Sequence, residues 1–153
     1  MVGRMLRSAD FQRVLATPPQ SRSTHFSVHH VSASPSIAKK PVKGRLSSEL
    51  STGDAPSCPP LVDELPPALP VGCWLGLVVP KRHARRAVTR SLLKRQMRAL
   101  MERQAEALAP GLWVLRLKAP FDRKQFVSPA SAPLRSSVHD ELALLLQRAA
   151  ARR

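Results

Sequence analysis

The chain has 153 residues, with 25 Lys and Arg against 10 Asp and Glu and a formal charge of +15 at neutral pH. That length suits one small domain, and that charge leaves a self-repulsion that RNA, DNA or an anionic membrane would relieve. No apolar run is long enough to span a bilayer, and no apolar signal core follows Arg4 and Arg7, which speaks against an integral membrane or secreted protein.

In chain order, residues 4–16 read as a short helix with Ser8 as its cap and Asp10 in its first turn, where a negative charge suits the dipole. Phe11, Val14 and Leu15 share one face, and Pro18-Pro19 stops the helix. His25 to Val31 then alternates, with Phe26, Val28 and His30 on one side and His25, Ser27 and His29 on the other. This is the pattern of a half-buried strand.

From Ser32 to Pro70 the periodicity dissolves. Eight of the 15 prolines fall here among many Ser and Ala, so the stretch is expected to be a long, mostly disordered insert. Leu46–Leu50 could supply one helical turn. Asp54, Asp63 and Glu64 belong to this insert, which leaves the remainder more basic than the average.

Order resumes with VGCWLGLVV at 71–79, an apolar run suited to a central strand covered on at least one face. A basic helix follows Pro80, starting near 85–87 and ending before Pro110-Gly111. Leu112 to Leu117 gives another strand. Phe121 and Phe126 are candidate anchors in a proline-bracketed loop, which with the insert is where a further short strand could hide. Leu134, Val138, Leu142, Leu145 and Ala149 mark a last amphipathic helix. The visible order is α-β-(insert)-β-α-β-α, one domain over 4–150 interrupted at 32–70.

The chemistry concentrates between Lys81 and Arg103, where nine Lys or Arg face one acid, Glu102. Arg90, Lys94 and Arg98 recur every four residues and so stack along one side of a helix, while Leu93, Met97, Leu100 and Met101 form an adjacent apolar stripe. A solvated structural helix would carry both signs of charge. One apolar and one cationic stripe suit a helix that packs on a core and faces a polyanion.

Catalytic patterns are missing. Asp63-Glu64 and Asp140-Glu141 are adjacent pairs whose side chains diverge, so no carboxylate cluster for metal-assisted cleavage is expected. The glycines are isolated, and Cys58 and Cys73 have no metal-ligand spacing. The reading is a cytoplasmic binding module with reduced thiols, no catalytic residue and no metal ligand.

The run VVPKRHARRAVTRSLLKRQMRALMER resembles the signature of the bacterial ribonuclease P protein component. In that family an apolar strand enters a Lys pair, then Ala-Val-x-Arg-Asn-Arg, then Lys-Arg and a further Arg. Here Lys81-Arg82 takes the place of the pair, and Ala87-Val88, Arg90, Lys94-Arg95 and Arg98 match. Asp10-Phe11-x-x-Val14-Leu15 resembles the family's first helix, and His25 to His29 its first strand. Three positions depart: Ser91-Leu92 replaces Asn-Arg, Pro80 replaces a small hydroxyl residue, and Ala99 replaces a Glu. Leu92 has no group to bind phosphate, which shifts weight to Arg85 and Arg86.

The resemblance implies an α+β protein of the small two-layer sandwich type, its helices on a mixed sheet with a left-handed β-α-β crossover, against the usual right-handed rule. It implies a protein subunit that binds a catalytic RNA and the 5′ leader of precursor tRNA, with Mg²⁺ held through the RNA and no obligate protein partner. Lys81, Arg82, Arg85, Arg86, Arg90, Lys94, Arg95 and Arg98 would meet RNA. Phe11 and His29 would line a leader cleft between the first helix and the sheet. Phe11 as an ordinary core residue fits the same pattern. The rivals are another basic RNA-binding protein, such as a ribosomal protein, and a peripheral membrane or helix-groove binder. The latter would want Trp or Phe on the apolar side of the basic helix.

Overall fold

Leu112 to Leu117 is the most enclosed strand of the sheet because it is apolar on both of its faces. Leu112 and Val114 pack with Met5, Val14 and Ala33 on one side, and Trp113, Leu115 and Leu117 pack with the long helices on the other. The structure is a computed structural model and describes residues 1–36 and 70–152. Its elements are β1 (Val2–Arg4), α1 (Ser8–Leu15), β2 (Ser21–Arg22), β3 (Phe26–Val31), β4 (Cys73–Val78), α2 (Ala87–Gln104), β5 (Gly111–Leu117) and α3 (Ala132–Ala150).

The five strands form one mixed sheet in the order β1-β4-β5-β3-β2. β4 runs parallel to β5, with Leu75 opposite Trp113, and α2 makes the crossover between them. β3 runs antiparallel to β5, with Val28 opposite Leu115. This is the α+β architecture expected. α2 and α3 cover one face, burying Leu93, Met97 and Met101 against Leu142, Leu145 and Leu146. The short α1 covers part of the other face, so β3 does not alternate: Phe26 to His29 are all buried.

Two strands escaped the sequence reading, and neither lies at residues 121–127. The helix expected over 4–16 begins only at Ser8, because Val2–Arg4 instead pairs parallel with Cys73–Leu75. Gly3 permits this, since a Cβ there would collide with the Trp74 ring. Ser8 is the first helical residue rather than the cap. Arg7 holds the cap position and makes no side-chain capping bond. β2 is two residues long, too short for any periodicity to register.

The interruption also starts later than expected. Ala33 is buried with α1, and Ser36 binds Asp10, so residues 33–36 belong to the fold. Residues 37–69, with the expected turn at Leu46–Leu50, lie outside the described residues. At the far end, the anchors hold: Phe121 and Phe126 pack against the main core. All five residues predicted for the inner face of the last helix are buried in α3.

Candidate nucleic-acid interface

α2 sorts its residues as its periodicity predicts. Leu92, Leu93, Met97, Leu100 and Met101 are buried, while Lys94, Arg95 and Arg98 are exposed beside them. Leu92 is 8% exposed within the main core. Its departure from the family pattern therefore adds apolar packing where a charge would otherwise have to reach round the helix. Ser91 stays exposed.

The segment before α2 folds back on itself. The Pro80 carbonyl accepts from His83 N–H at 3.1 Å and from Ala84 N–H at 3.2 Å. Arg90 Nη1 then donates to the Ala84 carbonyl at 2.9 Å and the Arg85 carbonyl at 2.7 Å. Arg90 is thus half occupied with fixing the entry to the helix, unlike the two cations further along its row. Lys81, Arg82 and Arg85 are exposed, Arg82 Nε donating to His83 Nε2 at 3.2 Å. Arg86 Nη1 reaches the Val127 carbonyl at 3.2 Å.

Among the described residues, no Lys or Arg forms an ion pair with a carboxylate. The single ion pair joins His25 Nδ1 to Glu141 Oε2 at 2.8 Å. Surface cations without an ion-pair partner keep more of their field for an outside anion.

Lys94 and Arg98 open onto a cleft of about 120 Å³ at the edge of β4, floored by Leu75 and Leu77 and closed by β1 and Phe11. Phe11 is half-buried and lies over Gly76, where a Cβ would stand 2.5 Å from its Cε1. The structure therefore brings Phe11 together with two cations of the basic helix. His29 does not join them. It is 7% exposed, and its Nδ1 lies 3.0 Å from the Thr17 carbonyl, so it braces the chain leaving α1. Arg90 and Arg95 also lie outside the cleft lining.

Two cations near this face escaped the sequence reading. Arg4 lines the cleft from β1, within the span 4–16 that reads as a helix in the sequence. Arg116 shares the parity of Leu112 and Val114 and so faces the α1 side, in a row with Ser27 and Val78. Its Nε is buried without a partner. Its signal was in the sequence: one charge interrupting the apolar run LWVLRL.

The acids are otherwise engaged or dispersed. Asp10 is 1% exposed and accepts from Ser36 Oγ at 2.5 Å. Burial works to raise the Glu141 carboxyl, but hydrogen bonds from Ser23, from His25 N–H and from the His25 ring, with the His25 charge, hold it below the usual carboxylate range. Burial pushes the His30 imidazole down, against a weaker upward pull from the Pro110 carbonyl. Among the described residues, no three of His, Cys, Asp or Glu gather where a metal could be held, and no helix is long and apolar enough to cross a membrane.

Residues 2–132 match the protein family described as Ribonuclease P. A ribonuclease P protein component of Burkholderia pseudomallei is 46% identical over 76 residues, covering 50% of this chain and 56% of that protein. That of Ralstonia pickettii is 30% identical over 144 residues, covering 94% of this chain and 76% of that protein. For most of the curated relatives, the match thus spans little more than half of their length. A solved structure of the Staphylococcus aureus RNase P protein superposes with a TM-score of 0.52 at 14% identity, covering 96% of this chain and 94% of that one. At that identity the likeness speaks for the fold.

Proposed function

The chain belongs to the ribonuclease P protein family, and on that premise we propose that it is the protein subunit of ribonuclease P. In this reading it binds the catalytic RNA and the 5′ leader of precursor tRNA in the cytoplasm and assists RNA-catalysed removal of the leader. The observation that carries the proposal is the meeting of unpaired Lys94 and Arg98 with the Phe11 ring in one cleft. Fixed cations beside an aromatic face suit a single strand, whose phosphates and bases need both.

The bases would stack on or beside Phe11 while Lys94 and Arg98 neutralise phosphates. Arg116 sits on the same side of the sheet as Phe11 and is partly exposed, so its guanidinium suits a further phosphate. Lys81, Arg82, Arg85, Arg86 and Arg95 would meet the catalytic RNA. Arg90 would contribute through its remaining guanidinium donors and by fixing the loop. His29 would act at one remove, by holding the end of α1.

The hydrolytic groups and the Mg²⁺ ions belong to the RNA in this proposal. The protein supplies electrostatic help and needs no obligate protein partner. The acids available are consistent with this division: Asp10, Glu141 and Asp122 are bonded to Ser36, His25 and Lys124, and Glu102 stands alone on α2. The family match favours this reading over a ribosomal protein of similar charge.

Reconstitution tests it. The protein with a ribonuclease P RNA should release the 5′ leader of precursor tRNA at low Mg²⁺, and the protein alone should not. Cleavage by RNA-free protein would overturn the division of labour. Failure to stimulate the RNA would overturn the subunit assignment.

A further inference from the structure

Away from the Phe11 cleft, the loop ahead of α2 and the segment joining β5 to α3 face each other across a groove of about 770 Å³. No lining residue is shared between groove and cleft. One rim carries Arg82, Arg85 and Arg86, and the other carries Arg123 and Lys124. Against these five cations stands one acid, Asp122, whose Oδ1 already accepts Lys124 N–H at 2.9 Å. The side chains of Arg85, Arg123 and Lys124 have no hydrogen-bond or ion-pair partner among the described residues.

The floor of the groove is aromatic. His25 and Phe121 stack with centroids 4.0 Å apart and planes at 14°, and Phe126 meets Phe121 edge-on at 5.9 Å. Glu141 on α3 holds His25 from behind through its backbone N–H and its ring. The two rims are tied together as well, by Arg86 to the Val127 carbonyl and by Thr89 Oγ1 to the Pro129 carbonyl at 2.9 Å. A groove already braced in this way loses little ordering entropy when it is filled.

Cations on two rims above an aromatic floor fit an unpaired strand, because every base offers a π-face and every nucleotide a phosphate. A duplex keeps its bases stacked inside and meets proteins through its backbone, so the floor would give it nothing. We propose that this groove is a second RNA subsite that takes a short unpaired segment. Its phosphates lie on Arg85, Arg123 and Lys124, and a base lies against the Phe121–Phe126 wall. This rests on the RNA-binding reading above and adds both the place and the unpaired state of the strand. α2 then serves two concavities, the groove at its start and the cleft further along, so that one chain holds two RNA segments at once.

Photo-cross-linking of the full chain to a decauridine carrying 4-thiouridine tests the proposal, with a ten-base-pair duplex carrying the same label as control. Cross-links are expected within residues 121–126 for the single strand and not for the duplex. In the variant Arg85→Ala/Arg123→Ala/Lys124→Ala their yield should fall about tenfold at moderate salt, with a salt dependence flattened by roughly 0.7 in log–log slope for each phosphate no longer neutralised. Cross-links at α1 should persist in that variant. They should fall instead in Lys94→Ala/Arg98→Ala, which leaves the groove intact. Absence of cross-links at 121–126, or equal labelling by the duplex, overturns the groove while α1 cross-links keep the proposed Phe11 cleft standing. Absence of cross-links at both places overturns both.

Discussion

The ring of Phe11 on α1 occupies the space that a side chain at residue 76 of β4 would need: a Cβ there would lie 2.5 Å from Phe11 Cε1. The glycine is what lets the helix settle on the sheet and carry its ring to the cleft edge. Gly76→Ala should therefore cost about 1–3 kcal/mol of stability by overpacking. Pairing it with Phe11→Leu should recover part of that cost, read as a coupling energy in urea unfolding. Strict additivity of the two changes would show that the ring does not depend on Gly76.

Asp10 makes a second tie between α1 and the chain leaving β3. It is 1% exposed, and Ser36 serves it with its N–H at 3.2 Å and its hydroxyl at 2.5 Å. Ser36→Ala keeps the first bond and removes the second, so a loss of about 1 kcal/mol is expected. An unchanged denaturation midpoint would show that water replaces the hydroxyl without cost.

Acid should loosen the attachment of α3 to the β2–β3 turn. Glu141 accepts from Ser23 Oγ at 2.5 Å and from His25 N–H at 2.6 Å, and its carboxyl is held below its ordinary value of 4.5. The unfolded chain then takes up this proton first, so the contribution is present above about pH 4.5 and is lost as pH falls through the folded value. His30 works in a higher window. Its folded value lies below 6.5, so its neutral, half-buried form also stabilises less as pH drops beneath that point. Melting curves of Glu141→Gln should be flatter than the parent below pH 4.5 and keep the same slope between that point and neutrality. A parallel shift at every pH would mean that Glu141 acts only through packing.

Periodicity made the long elements legible, because 18 residues of α2 and 19 of α3 repeat their apolar spacing many times. β1 and β2 are three and two residues long and owe their existence to partners outside their own segments, Cys73–Leu75 and Ser27–Val28. No local pattern could report them. The candidate site was legible on the helix side for the same reason, as Lys94 and Arg98 stand one turn apart. His29 lies on the α1 side of the sheet, but alternation gives a side and not what covers it, and here α1 leaves it 7% exposed. Arg116 was overlooked as a detail of an apolar strand. The groove floored by Phe121 stayed hidden because its two rims lie some 40 residues apart and meet only through bonds such as Thr89 to Pro129.

The cation row on α2 should divide into two behaviours. Arg90 donates to the Ala84 and Arg85 carbonyls, whereas Lys94 and Arg98 have only solvent and the cleft before them. Arg90→Glu should therefore lower folding stability by about 1 kcal/mol, and weaken RNA binding besides. Lys94→Glu/Arg98→Glu should leave the melting temperature near the parent value. The RNA affinity of that pair should drop sharply, with the salt dependence flattened by roughly 0.7–0.9 in log–log slope for each phosphate left without its cation. Reversal of Lys39 and Lys40 supplies the control for net charge, since it makes the same change at residues outside the helix sequence. If that control weakens binding as much as the Lys94/Arg98 pair and flattens the slope as far, attraction is diffuse and α2 is no recognition surface. A larger drop in affinity for the pair, with the fold intact, assigns the binding to the fixed row beside Phe11.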